Sequence, residues 1–562
     1  MVACRRAVAK HLQRFAGRRL SSARVPRGRH TKAGRTALDA SDLAPAAPRQ
    51  VADRSTPRSG SLAMKPVWAR TLGAVGLAFA MAPLPAEAAG TLRVAIPSNL
   101  NTFDAAKTKI GEEYIMNFLI FSGLTEVDGL GNVKPDLAEN WKASEDLKTW
   151  TFALRDSVTF HNGRKVEAED VKASILRVMD KAIGSTARVN FDVVDTIEVV
   201  DPKTITFKLK QPYGGFAEIL GDRQARILPR DKFDTMASAP IGTGPFKFKS
   251  FRPGDRIELE RNSDYFIKGE PKLDAVTFRI MPEAAAQVAG LETGEIDLVW
   301  SLPLEALDQF KKSRSVKLDS VPTSTWDGLI MNAAHKPFDD PRVRKAFALS
   351  LDKSALVDVA LYGEGTATNT MIPPSSPYFN KALPIGAPDP AAAKKLLAEA
   401  GYAKGLKVTL YLPSGRPTRE RLGIAAKEFL GAIGVDVDIQ RVPFDKFIKE
   451  VEGKAALYVD GFYSRPTIDT SVYPFFHSSG SWNTQLWNYK NPRVDEVLDK
   501  ARAARTEDER ADLYRQFQAL VVDDPAGAIP YVQNHVNAYR MTVKGFKSSP
   551  MMWLDLRETT VQ

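Results

Sequence analysis

A chain of 562 residues is too long for one hydrophobic core, so two or three lobes are expected. Its 44% apolar and 26% charged composition is that of an ordinary globular protein, and its formal charge of +11 is concentrated at one end, where residues 1–89 hold 16 of the 78 Lys and Arg and only 4 of the 67 Asp and Glu. The remaining 62 basic and 63 acidic residues leave no basic footprint in the body of the protein, which excludes nucleic acid as a partner.

Residues 1–63 are rich in Arg and Ala and lack a sustained apolar period. They are read as an extension outside the folded protein, ahead of a true start at Met64; an Arg-rich, acid-poor organelle transit peptide is the alternative. From Met64, Lys65 and Arg70 lead an apolar run from Leu72 to Met81, and Ala86-Glu87-Ala88-Ala89 supplies small residues. This is the layout of a secretory signal peptide over 64–89, cut near Ala88 or Ala89. The run is shorter than the roughly 20 residues that span a bilayer, so export and release into the periplasm are expected. The only cysteine, Cys4, lies in the extension. The mature chain is then expected to lack disulfides, a thiolate metal site and a lipid-anchoring cysteine.

Leu92 to Ile96 opens the mature chain as a strand by alternation, followed by a loop at Asn101-Thr102-Phe103-Asp104. A β-rich section runs from about 124 to 240, with strand-like Trp150 to Leu154 and Thr204 to Leu209. Within it, Glu167 to Met179 reads as a helix with Val171, Ile175 and Val178 on one face. After 330 helices and strands alternate. Asp340-Pro341 and Asp389-Pro390 open helices, the second ending at Gly401. Leu406 to Leu412 is strand-like, a helix carries Leu422, Ala426, Phe429, Leu430 and Ile433, and Val435 to Ile439 is strand-like again. Thr506 with Glu509 reads as a capping box. Such alternation predicts an α/β fold in which ligands gather at strand carboxyl ends.

Several blocks, read in order, resemble the bacterial extracellular solute-binding proteins of family 5, the peptide and nickel binders of ABC importers. They include Lys134-Pro135-Asp136-Leu137-Ala138-Glu139-Asn140-Trp141, Phe160-His161-Asn162-Gly163, Pro240-Ile241-Gly242-Thr243-Gly244-Pro245-Phe246, Gly294-Glu295-Ile296-Asp297-Leu298 and Phe338-Asp339-Asp340-Pro341-Arg342-Val343. The resemblance covers the chain from about residue 91. It implies a periplasmic binding protein type II-like clamshell, monomeric, with two α/β lobes and an extra β-rich lobe. Lobe I would comprise 90–122, 240–325 and 528–562, lobe II 123–239, and the ligand-closing lobe III 330–527. Crossovers near 322–331 and 526–532 would form the hinge. The implied partners are a small-molecule ligand and the ABC permease subunits of the inner membrane.

Unpaired buried charge is costly, so a peptide zwitterion needs a carboxylate for its ammonium and preferably an Arg for its carboxylate. The resemblance places the acidic residue in the loop Tyr463-Ser464-Arg465-Pro466-Thr467-Ile468-Asp469. Peptide binders of the family show two Asp around a Pro there; here only Asp469 remains, which puts a dipeptide-type amine clamp in doubt. Of Arg416, Arg419 and Arg421, Arg419 is favoured for a ligand carboxylate, against the alternative of a solvated helix start. Tyr463 and Arg465 are candidates because they stand at a strand mouth. Trp482 and Asn483 are candidates from the Ser/Gly-rich aromatic stretch 473–483, whose Phe475 and Phe476 read as core. Trp326 stands beside the expected hinge, as cleft wall or as core packing. Asn101 and Phe103 follow the first strand.

No nucleophile elbow, zinc-protease, P-loop or dinucleotide motif is present, so no enzyme activity and no cofactor are expected. The mature histidines, His161, His335, His477 and His535, have no metal-ligand spacing. His477, in the pocket-like stretch, could touch a ligand or a metal chelate; a hydrogen-bonded structural role is the alternative. The rival classes are a nickel or metal-chelate binder and an exported carboxylate hydrolase. The expectation is a binder of short peptides or amino-acid-derived solutes.

Overall fold

The computed structural model describes residues 90–129, 131–465 and 467–562, so the extension over 1–63 and the signal segment over 64–89 lie outside the described residues. Strand β1 (Thr91–Ile96) ends in three buried residues, Val94 to Ile96, because it is central and parallel to a neighbour on each side. Helix α1 (Gly111–Ile120) follows. The chain then builds a separate four-stranded antiparallel sheet from β2 (Ala138–Ala143), β3 (Thr149–Leu154), β4 (Val194–Asp201) and β5 (Thr204–Leu209), in the order β2-β3-β5-β4. Helix α2 (Ala168–Met179) buries Val171, Ile175 and Val178 in the same core as Phe152 and Phe207.

The chain returns past Gly242 and Gly244 to β6 (Phe246–Arg252), β7 (Arg256–Arg261), β8 (Ala275–Ile280) and β9 (Leu298–Val299). The return is tight. A Cβ at Gly242 would overlap the Ile120 carbonyl oxygen, and one at Gly244 would lie 2.6 Å from the Ile120 carbonyl carbon. His161 holds this turn: the Gly242 N–H donates to Nδ1 at 3.3 Å, and Nε2 lies 3.0 Å from the Gly244 carbonyl oxygen. Only the neutral ring with its proton on Nε2 satisfies both, and burial lowers the His161 pKa to about 4.

Two long strands carry the sheet onward. β10 (Val316–Met331) is followed by β11 (Gly365–Ala367), β12 (Leu406–Ser414), helix α3 (Pro417–Ala432), β13 (Val435–Pro443), β14 (Leu457–Phe462), helices α4 (Ile468–Phe476), α5 (Pro492–Ala503) and α6 (Glu507–Asp523), and the returning β15 (Gly527–Arg540). The large sheet has the order β13-β12-β14-β10-β15-β9-β1-β8-β7-β6, with β11 against β15. β10 and β15 pair antiparallel from Val316 opposite Arg540 to Pro322 opposite Asn534, and resume with a shifted register at Trp326 opposite Val532. β9 joins β15 on one side of that break and β14 joins β10 on the other. Separate hydrophobic clusters lie on the two sides, one around Val94, Leu119 and Phe278, the other around Trp326, Phe475 and Trp487.

The expected caps take their positions. The Asp340 and Asp389 side chains each accept from a backbone N–H of the first turn, at 2.9 Å, with Pro in the first helical position. Thr506 accepts from the Glu509 N–H at 3.2 Å, but the Glu509 carboxylate returns to the Arg505 N–H instead of closing the box on Thr506. The helix opened by Asp389 is regular to Leu397 and widens over Ala398–Tyr402, where Gly401 takes φ 94°. Among the described residues no helix is long and apolar enough to cross a membrane.

Candidate ligand-binding site

The carboxyl ends of β9 and β14, helix α1 and the C-terminal loop meet around a small cavity. Tyr114 and Phe118, four apart on α1, share the face that lines it. Trp300 follows β9 and Tyr463 follows β14, the strand-end positions from which ligands are met in such sheets. Met551, Met552 and Trp553 close the far wall. The wall is braced: the Trp300 Nε1–H donates to the Met552 carbonyl at 2.8 Å, and the rings of Phe118 and Trp553 lie 4.0 Å apart. Tyr463 is 44% exposed, unusual for a large ring in this chain, because it faces the cavity.

The charges here are lopsided. The Arg223 guanidinium lies 3.9 Å over the Tyr114 ring and donates to the Ser464 carbonyl at 3.3 Å. Arg465 sits next in sequence, over the rings of Phe475 and Trp482 at 5.3 and 5.8 Å, and among the described residues its buried Nε has no hydrogen-bond partner. Burial first, then the charge of Arg223, lowers the Arg465 pKa to about 10. Arg416 lies 3.8 Å over the Phe444 ring, and its pKa is lowered, mainly by burial. Among the described residues none of these three arginines has an ion-pair partner.

Most nearby carboxylates are already engaged, and Asp222 adds a negative charge that acts on Arg465. Asp327 and Asp460 are held by Arg419 at 3.2 and 2.6 Å. Asp469 takes two hydrogen bonds from Arg502, at 2.8 and 2.9 Å, and one from the Tyr213 hydroxyl at 2.8 Å. Glu113 accepts from the backbone N–H groups of Asn101 and Lys109, at 2.9 and 2.6 Å. Glu112 accepts from the Ser98 hydroxyl at 2.5 Å, and burial pushes its pKa up. Guanidinium groups without a direct ion pair in a partly dry cleft favour an anion over water.

Of the residues expected from sequence, the structure brings Tyr463 and Arg465 to the cavity and its edge. Trp482 stands one layer back, 4.7 Å from the Phe462 ring and under the Arg465 guanidinium. The others have partners elsewhere. Trp326 is buried and stacks on Trp487, 5.7 Å apart with planes at 13°. Phe103 is buried edge-on to Phe248 and Phe251. Asn483 is buried, spanning the carbonyls of His477 and Tyr489 and accepting from the Tyr489 N–H. Asn101 is tied to Glu113 through both its N–H and its amide. His477 stacks on Tyr473 at 4.3 Å and its Nδ1 lies 2.7 Å from the Ser479 hydroxyl. Asp469 and Arg419 are the engaged partners described above. Among the described residues no group of three His, Cys, Asp or Glu is placed to hold a metal ion.

Sequence reading passed over Tyr114, Phe118, Arg223, Trp300 and the Met551 to Trp553 wall. Arg223 falls in an unbroken buried stretch, Gly215 to Pro229, but that burial is visible only in the fold, because the segment itself mixes charged and apolar residues. The loop at 551–553 carries no local signal, because chain return alone brings it to the cavity.

The family model of bacterial extracellular solute-binding proteins, family 5, matches residues 132–483. The glutathione-binding protein GsiB of Salmonella paratyphi A is 31% identical over 496 residues, covering 85% of this chain and 96% of that protein. Among solved structures, AgaA from A. tumefaciens R10 in complex with agropinic acid superposes with a TM-score of 0.74 at 26% identity, covering 84% of this chain and 99% of that one. The ABC transporter-associated periplasmic binding protein DppA from Helicobacter pylori, in complex with the peptide STSA, gives 0.73 at 26% identity, covering 84% and 98%. With a large mixed α/β sheet and a cavity at its strand ends, the chain belongs to the bacterial extracellular solute-binding proteins of family 5, the binding components of ABC importers, whose fold is the type II clamshell.

Proposed function

We propose that this protein captures a small anionic solute of peptide or amino-acid origin in the periplasm, with glutathione a candidate because a 31% identical relative binds it, and hands it as a monomer to its permease. The observation that carries this reading is the buried Arg465 Nε without a partner beside Arg223. A carboxylate placed between them would take charge-assisted hydrogen bonds from both. Arg416, near Tyr463, offers a second cation for a solute with two carboxylates. Asp469 is occupied, so an α-ammonium has no free carboxylate at the loop where family peptide binders hold theirs.

Closure would follow from the long strands. Residues 90–122, 240–325 and 528–562 would form one body with the 123–239 sheet attached, and 330–527 the other, turning about the register break between Pro322 and Trp326. Binding would be selected by net charge first and by packing on Tyr114, Tyr463, Trp300 and Trp553 second.

Calorimetry against glutathione, its diester, a zwitterionic dipeptide and nickel–histidine tests this. Glutathione should bind, and esterification of its carboxylates should weaken binding at least about tenfold, the scale of one lost charge-assisted bond. Equal affinity for the acid and its diester would overturn the anion reading. Tight binding of nickel–histidine alone would replace it with a metal-chelate binder.

A further inference from the structure

The 123–239 region meets the 330–527 region at a second place, outside the cavity. The Tyr213 hydroxyl donates to Asp469 at 2.8 Å, and Asp469 is held from behind by the bidentate Arg502. The next residue, Gly214, donates its N–H to the Arg502 carbonyl at 2.8 Å. Four residues on, Glu218 lies 2.5 Å from Arg510, with only 7% and 8% of the two side chains exposed. Arg510 also reaches the Tyr378 hydroxyl at 2.7 Å and Glu507 at 2.9 Å. The approach is close because Gly214 and Gly215 make room: a Cβ at Gly214 would lie 2.6 Å from the Ala504 carbonyl oxygen, and one at Gly215 2.9 Å from the Arg510 Nη1.

The two halves of this contact are unlike. Asp469 and Arg502 lie on the same side and stay paired if the regions separate, so opening here costs the Tyr213 and Gly214 hydrogen bonds but no ion pair. Glu218 and Arg510 lie on opposite sides, and separation strips Arg510 of its buried partner. None of these side chains lines the cavity. Buried pairs of this kind persist only where every partner is in place, and every partner is in place only when the two regions are together.

We propose that Tyr213, Glu218, Asp469 and Arg510 form a closure latch: positioning residues that set affinity by holding the two regions shut without touching the solute. The proposal rests on the closure read above. A solute that must itself drive closing binds with its intrinsic affinity reduced by the fraction of molecules that are closed. The latch raises that fraction, so its loss weakens every solute alike.

The test uses Tyr213→Phe, which keeps the Asp469–Arg502 pair, and Glu218→Gln, which leaves Arg510 its contacts to Tyr378 and Glu507. Each is probed with glutathione for affinity and dissociation rate, and by amide hydrogen exchange. Affinity should fall about fivefold to tenfold, chiefly through faster dissociation. The Gly214 amide should exchange faster than in the wild type, while the amides of Thr204–Leu209 keep their protection, which separates a latch from a loss of fold. Wild-type affinity together with wild-type Gly214 protection in both variants would overturn the latch. Should the unaltered protein not bind glutathione, the ligand reading falls by itself. Gly214 exchange in the ligand-free proteins then decides the latch: faster exchange in the variants supports it, and equal exchange overturns it.

Discussion

Two arginines 46 positions apart, Arg419 and Arg465, differ only in what surrounds them, and that difference decides their roles. Arg419 lies between Asp327 and Asp460, which come from 92 and 41 residues away. No local pattern announces such partners, which is why its engagement was invisible in the sequence, whereas the strand mouth that carries Arg465 was legible and its part in ligand binding is the proposal made above. Replacing Arg419 by Met would leave two buried carboxylates without their cation and should cost about 3–5 kcal/mol, read from denaturant unfolding. Arg465→Gln should act the other way on stability. Its guanidinium pKa is lowered to about 10, so the folded state holds that proton less firmly than the unfolded chain. The charged group therefore subtracts stability at neutral pH, a loss relieved only as pH rises from about 10 toward the ordinary arginine range. The variant should melt about 2 °C higher while losing about tenfold or more in affinity for an anionic solute, a trade of function for stability.

Among the elements, those with a local cause were legible. The helix starts at Asp340, Asp389 and Thr506 followed from side chains that satisfy first-turn N–H groups, and α2 from its apolar face. The close return at Gly242 to Gly244 has no such local cause, because its partner, Ile120, and its clamp, His161, are distant in sequence. That clamp is sensitive to acid. With a folded pKa near 4 against about 6.5 unfolded, His161 stays neutral while the unfolded chain takes up its proton, so its contribution to stability falls as pH drops from about 6.5 to 4. Buried His535, also lowered to about 4, behaves alike, while Asp136, pushed up to about 7, acts in the opposite sense over much of that range. The quantity to read is therefore a difference: thermal melts at pH 7 and pH 5 should show a smaller acid loss in His161→Gln than in the wild type.

At the scale of the whole molecule, ordered blocks of sequence were enough to recognise the fold class, while the continuity of the large sheet was not legible. β10 and β15 bind both sides into one sheet, so any bending must concentrate where their ladder breaks, between Pro322 and Trp326. Solution scattering should report a smaller radius of gyration at saturating ligand, and an unchanged value would argue against closure about that break. The tryptophans give this motion an optical readout. All four of Trp300, Trp553, Trp326 and Trp487 are buried, but the first two stand in the cavity wall whereas the last two lie stacked on each other away from it. A solute seated on the two wall indoles would change their contacts and leave those of the stacked pair as they are, so emission intensity from the unlabelled protein should change on loading. Candidate metabolites can then be screened in a cuvette with no dye attached.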